Sequence, residues 1–196
     1  MNKRELTIAL SKLKGFEKPK LRLRQYLTPP SVAADLLWTA YMQGDLEGRK
    51  VFDLGCGTGM LSVGASLLGA SVIGYDLDEE ALMIARVNAR GLEVKFVKKE
   101  IDSLTGKCDT VVMNPPFMIK EGKGDRVFLT KAFELSDNIY SIHNLETSNF
   151  IRVFSSDNGY NATLISEALM PLEKRYAFHK KEKLSFKVGL WVIKKR

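Results

Sequence analysis

The chain has 196 residues, 45% of them hydrophobic and 27% charged, with a net charge of +7. These are the proportions of one globular domain with a sizeable core, not of a disordered or fibrous chain. No apolar run approaches the ~20 residues of a membrane span, and Met1-Asn2-Lys3-Arg4-Glu5 leads into no signal-peptide core, so a cytoplasmic protein is expected.

The charge is unevenly spread. Residues 1–26 carry +6, residues 173–196 carry +7 and the body between them −6. An acidic body with two basic ends suits a phosphate backbone, and both ends are expected to bind nucleic acid. The two cysteines, Cys56 and Cys108, stand too far apart for a disulfide framework. His143 and His179 have no metal-ligand spacing, so no metal site is expected. With no paired acid or nucleophile visible, each histidine is read as structural.

In chain order, residues 1–14 read as a helix on the spacing of Leu6, Leu10 and Leu13. Gly15 and Pro19 interrupt it, and Gln25-Tyr26-Leu27-Thr28-Pro29-Pro30 is a loop. Thr28 or Ser31 is expected to cap a helix from Val32 to Met42. Lys50 to Leu54 is a strand, Gly59 to Leu68 a helix, Ser71 to Tyr75 a strand, and Glu79 to Ala89 an amphipathic helix. Strands follow at Val94 to Val97 and Thr110 to Met113, a helix at Val127 to Leu135, a strand at Ile139 to Ile142, and a helix at Leu145 to Phe154. Asn161 to Ala168 and Leu184 to Ile193 close the chain as an antiparallel pair. Alternating strands and helices predict a parallel sheet covered on both faces. Ligands of such sheets sit at the carboxyl ends of the strands. Asp53, Asp76 and Asn114 all fall at such ends.

Val51-Phe52-Asp53-Leu54-Gly55-Cys56-Gly57-Thr58-Gly59 is strand, tight loop and helix start. Its glycines let the backbone approach a ligand closely. Asp76 ends the next strand, where a carboxylate can accept both hydroxyls of a ribose. The spacing is Gly-x-Gly-x-Gly, not the dinucleotide pattern. Asp53 would repel a pyrophosphate but suits a cation, which favours S-adenosylmethionine, with its sulfonium and ammonium, over a nicotinamide cofactor.

Asn114-Pro115-Pro116-Phe117 follows the strand Thr110 to Met113. The prolines fix φ and remove two donors, so the chain turns and presents an amide, the Pro115 carbonyl and an aromatic ring. Two acceptors and a stacking face suit a planar exocyclic –NH2 group. Aligned acceptors favour the pyramidal nitrogen of the transition state over the flat ground state.

Together, Asp-Leu-Gly-Cys-Gly-Thr-Gly and Asn-Pro-Pro-Phe resemble a class I methyltransferase acting on an amino nitrogen. With Leu23-Arg24-Gln25-Tyr26-Leu27-Thr28-Pro29, Asp125-Arg126-x-Phe128-Leu129-x-Lys131-Ala132-Phe133-Glu134 and Ser141-Ile142-His143, nearly the whole chain resembles the methyltransferase-like protein 5 family of ribosomal-RNA adenine-N6 methyltransferases. The resemblance implies a Rossmann-like three-layer αβα sandwich. Its seven-stranded, mostly parallel sheet would end in an antiparallel C-terminal strand. Residues 1–30 would form an N-terminal helix and cofactor-covering loop, and 31–196 the methyltransferase domain.

The resemblance also implies roles. Gln25, Tyr26 and Thr28 would lie over the methionine end of S-adenosylmethionine. Asp53, Gly55, Cys56, Gly57, Thr58 and Gly59 would hold its amino-acid moiety and backbone. Asp76 would bind ribose, Leu77 would flank the adenine, and Ile101 would also belong to the cofactor site. Glu100 would meet the adenine amine, with Asp102 as its rival. Asn114, Pro115, Pro116 and Phe117 would grip the target adenine. Where the family often has Gly-Thr or Gly-Ser after the Phe, this chain has Met118-Ile119, which leaves the cover of the base open. Members commonly work with a small zinc-binding activator paired to a sheet edge. Two alternatives remain at this level. A protein glutamine methyltransferase uses a similar turn on a carboxamide. A non-catalytic RNA-binding subunit could keep the same fold.

Overall fold

The computed structural model describes residues 1–20, 23–116, 123–171 and 185–196. Phe117, Met118 and Ile119 lie outside the described residues, as do His179, Lys180 and Lys181.

Helix α1 (Lys3–Leu10) opens with a reciprocal cap. The Asn2 side chain accepts from the Glu5 amide, and the Glu5 carboxylate accepts from the Asn2 amide. The helix ends sooner than its leucine spacing predicts, and Leu13 is only half-buried beyond it. Helix α2 (Pro30–Met42) carries no side-chain cap: Pro29 stands at that position and Pro30 opens the helix, where a proline gives up no needed donor. The hydroxyl of Thr28, expected to cap this helix, is used elsewhere.

The remaining elements are β1 (Lys50–Leu54), α3 (Met60–Leu67), β2 (Ser71–Asp76), α4 (Glu79–Asn88), β3 (Val94–Lys98), β4 (Thr110–Met113), α5 (Lys123–Leu135), β5 (Asn138–Asn144), α6 (Ser148–Asp157), β6 (Tyr160–Pro171) and β7 (Ser185–Lys195). Helix α5 begins one turn before the predicted start. The helix expected from Leu145 is split into a 3-10 turn, Leu145–Thr147, and α6. There the Asn144 side chain accepts from the Glu146 amide and tightens the turn.

Seven strands form one sheet in the order β3-β2-β1-β4-β5-β7-β6. Strands β1 to β5 are parallel, and β7 runs antiparallel between β5 and β6. One face packs Leu6, Leu10, Leu36, Leu37 and Leu61 against Val112, Tyr140 and Ile142. The other packs Leu129, Leu135 and Ile151 against Val111, Met113 and Trp191. Burial on both faces explains the unbroken buried run Val188 to Ile193 in β7.

From β1 the chain moves outward through β2 to β3, then crosses back to β4 on the other side of β1. The carboxyl ends of β1 and β4, Leu54 and Met113, are paired neighbours at this switch. A crevice must open there, because the segments leaving the two strands diverge.

Candidate active site

The crevice is a cavity of about 700 Å³, within the usual range for small-molecule sites. Its walls include Gln25, Tyr26, Thr28, Asp53, Gly55, Cys56, Gly57, Thr58, Asp76, Leu77, Glu100, Ile101, Asp102, Asn114 and Pro116. Most residues singled out in the sequence therefore meet here, Glu100 and Asp102 together. Pro115 is buried outside these walls, and Gly59 serves instead as N-cap of α3. Phe117 lies outside the described residues.

The loop after β1 is folded tightly. The Gly55 and Cys56 amides both donate to the Tyr75 carbonyl, at 2.9 and 3.0 Å, and Gly59 donates to the Cys56 carbonyl at 2.8 Å. Gly57 and Gly59 have φ of +52° and +87°, a region costly for residues with a β-carbon. The Gly57 amide donates to Asp76 Oδ2 at 2.8 Å, and the Asp78 amide donates to Asp76 Oδ1 at 2.9 Å. Burial raises the Asp76 carboxyl above its ordinary range despite these bonds.

Asp53 is 1% exposed. Its Oδ2 accepts from the Ser62 hydroxyl at 2.6 Å, while its buried Oδ1 has no partner among the described residues. Burial, partly offset by Ser62, pushes this carboxyl up to about 7. A buried half-satisfied carboxylate on a cavity wall is a site for a cationic group.

A strap, residues 15–20 and 23–28, contributes Phe16, Gln25, Tyr26 and Thr28 to the cavity walls. Asn88 pins its start: it accepts from the Lys14 amide and donates to the Lys14 and Thr58 carbonyls, each at 2.9 Å. Lys20 Nζ lies 2.6 Å from Asp78 Oδ1, and Gln25 Nε2 donates to Asp78 Oδ2 at 2.7 Å. Burial alone would raise the Asp78 carboxyl, but these bonds hold it below its ordinary value. The Gln25 oxygen accepts from the Lys20 amide at 2.7 Å, so Gln25 lines the cavity while locking the strap. Tyr26 meets Phe186 edge to face at 6.0 Å.

The strap ends on the amide of the Asn-Pro-Pro turn. Asn114 Nδ2 donates to Thr28 Oγ1 at 2.7 Å, and Asn114 Oδ1 is buried with no partner among the described residues. An unsatisfied carbonyl-type oxygen on a cavity wall can accept an N–H from a ligand amine.

Phe16 and Phe128 also line the cavity, and the sequence reading assigned neither to the site. Phe16 sits in a strap without periodicity. Phe128 is one turn inside α5, three residues after Asp125, in the stretch that carries the family resemblance. Nor did local spacing reveal a partner for His143. The fold supplies one: Nδ1 of the fully buried His143 lies 2.8 Å from Asp125 Oδ1.

Of the basic residues in the C-terminal end, Lys194 and Lys195 lie away from the cavity. Lys194 pairs in register with Asn138, at the amino end of β5 and away from the cavity. Lys194 and Lys195 are bound to Asp45 and Asp137. The antiparallel course of β7 carries these charges away from the site, which runs against a phosphate role for them. Lys12 and Lys14, beside the strap, remain exposed.

Residues 35–115 match the family model for ribosomal protein L11 methyltransferase. The rRNA N(6)-adenosine-methyltransferase METTL5 of Danio rerio is 37% identical over 96% of this chain and 96% of its own length. The chain belongs to the METTL5 family. In solved structures, a provisionally assigned RNA methyltransferase from Pyrococcus horikoshii superposes with a TM-score of 0.90 at 42% identity, covering 100% of this chain and 98% of that one. Magnesium protoporphyrin IX methyltransferase from Synechocystis, solved with bound SAM, shares the fold alone, at 20% identity and a TM-score of 0.65 over 82% of this chain and 77% of its own. Like the METTL5 proteins, this chain is a methyltransferase, and its cleft lies where the fold places its ligands.

Proposed function

We propose that the protein transfers a methyl group from S-adenosylmethionine to the exocyclic N6 of an adenine in RNA, in the cytoplasm; the METTL5 relatives are named for ribosomal RNA, and the substrate proposed here is that of the small subunit. The observation that carries this reading is the buried Oδ1 of Asn114 on the wall of the cleft, without a partner among the described residues. Bound there, the cofactor supplies an electrophilic methyl on a sulfonium.

Asp53 Oδ1, without a partner among the described residues, would take the cationic amino-acid end, and Asp76 would bind the ribose. Leu77 and Ile101 flank the adenine ring, with Glu100 or Asp102 at its amine. Asn114 accepts one hydrogen of the target amine, and the Pro115 carbonyl is assigned the second. Withdrawing the N6 lone pair from the ring costs conjugation, and acceptors fixed for the pyramidal nitrogen offset that cost. No strong base is required, because the charged amine sheds its proton once alkylated. Phe117 is assigned the stacking face. An adenine must leave its helix to reach the cleft, so the target is unpaired or flipped. Phosphate contacts are assigned to the N-terminal lysines beside the strap and to residues 173–187.

A small zinc-binding activator is assigned to the outer edge of β3. Among the described residues that strand is paired on one side alone, with β2. Val97, with Met83 and Val87 of α4, exposes apolar surface beside it, as strand addition requires.

The test is transfer from labelled cofactor to unmodified small-subunit ribosomal RNA, followed by nucleoside analysis. Label in N6-methyladenosine supports the reading. Label in protein instead would replace it with glutamine chemistry.

A further inference from the structure

We infer that Thr28 is a positioning residue for the transfer step, setting the orientation of the Asn114 amide. The inference rests on the methyltransferase reading of the cleft.

A primary amide is nearly symmetric in shape but opposite in function at its two ends. With Oδ1 toward the substrate, Asn114 accepts an amine hydrogen. Turned over, it presents N–H groups to an amine that also needs acceptors, and the transition state loses its support. Something must therefore hold the amide one way round.

Thr28 Oγ1 is the group that takes Nδ2, at 2.7 Å, and no second partner binds Oδ1 among the described residues. A hydroxyl can donate as well as accept, but the reversed amide would leave buried N–H groups without an acceptor in place of one buried oxygen. Orphaned N–H groups are the rarer and costlier case. The resting arrangement is thus the one that leaves the oxygen for the substrate.

Thr28 lies 86 residues from Asn114 in sequence, so only the strap brings them together. The strap is fastened three residues earlier, where Gln25 binds Asp78, and Asp78 donates its amide to Asp76. Asp76, Asp78, Gln25, Thr28 and Asn114 thus form one connected line from the ribose side of the cleft to the reacting amine. Among the described residues, Thr28 is thus the one group that fixes which way round the amide stands.

Two variants test this at saturating cofactor and RNA. Thr28→Val keeps the branched shape and removes the hydroxyl, while Thr28→Ser keeps the hydroxyl. Because the effect is relayed through Asn114, the kcat of Thr28→Val should fall about 10- to 100-fold, less than the direct loss of a transition-state hydrogen bond. Its cofactor Kd should stay within about 3-fold of wild type, the scale of a bond that binds both states alike. Thr28→Ser should recover most of kcat. A loss confined to cofactor affinity, or a Thr28→Ser chain as slow as Thr28→Val, would overturn the positioning role. A wild-type chain that transfers no methyl would overturn the reading beneath it, whereas wild-type transfer with an unaffected Thr28→Val chain would overturn this inference alone.

Discussion

Phe16 packs directly over Gly57: a β-carbon on the glycine would stand 2.9 Å from the ring Cζ. The strap can close on the glycine loop only because that position is bare and accepts a φ of +52°. Gly57→Ala therefore meets two penalties. The left-handed backbone costs an L-residue about 1–2 kcal/mol, and the ring must move away. The expected result is a lower Tm and a cofactor Kd raised about tenfold, a loss of 1.4 kcal/mol. In a double-mutant cycle with Phe16→Ala, the combined loss should be smaller than the sum, since the two residues touch.

Asp53 gives the cleft a pH dependence of definite sign. Its folded-state pKa of about 7 lies above the ~3.9 of an unfolded aspartate. Between those values the folded chain holds the proton more tightly, so this group favours unfolding increasingly as pH rises, with a constant effect above pH 7. The Tm gain of Asp53→Asn over wild type, in the ligand-free protein, should thus grow from pH 5 to pH 8. A cationic ligand needs the ionised form, so cofactor Kd should tighten from pH 6 to pH 8 in wild type and stay flat in Asp53→Asn. Titration calorimetry measures both chains.

Asp76 is bonded to the Gly57 and Asp78 amides, so it shapes the loop, and its proposed ligand is the cofactor ribose. Asp76→Ala should weaken cofactor binding by at least about tenfold, since hydrogen bonds to a charged group contribute roughly 1.5–3 kcal/mol. Unchanged affinity would remove the ribose role.

The Asp125–His143 pair ties the first turn of α5 to the carboxyl end of β5. His143→Ala leaves a buried carboxylate without its partner and should cost about 1–3 kcal/mol of stability. Chemical denaturation measures this, and an unchanged midpoint would show that the pair is not a stabilising tie.

Much of this architecture was legible beforehand. Strands β1 and β4 cover the spans read from the sequence, because parallel strands buried on both faces are rich in apolar residues, here Val51-Phe52 and Val111-Val112-Met113. Asp53, Asp76 and Asn114 were recognisable because each follows such a run. The strap was not. Phe16 and Thr28 belong to an irregular stretch without periodicity, and what they touch, Gly57 and Asn114, is set by tertiary closure. Thr28 read as a helix cap because a hydroxyl before a helix usually is one, but Pro29 and Pro30 start α2 without it and the amide takes the hydroxyl. His143 looked solitary for the same reason, its partner being 18 residues away on another element. Where the charges of β7 point was not legible, because composition carries no direction. An antiparallel strand sends Lys194 and Lys195 to the far end of the sheet.

Single-turnover transfer by wild type and Asn114→Ala, with cofactor Kd measured on both, tests the central claim most directly. The account predicts N6-methyladenosine from wild type, a rate at least about 100-fold lower in the variant, as for the loss of one transition-state hydrogen bond, and nearly equal cofactor affinities. An Asn114→Ala chain that still makes N6-methyladenosine at the wild-type rate would contradict it.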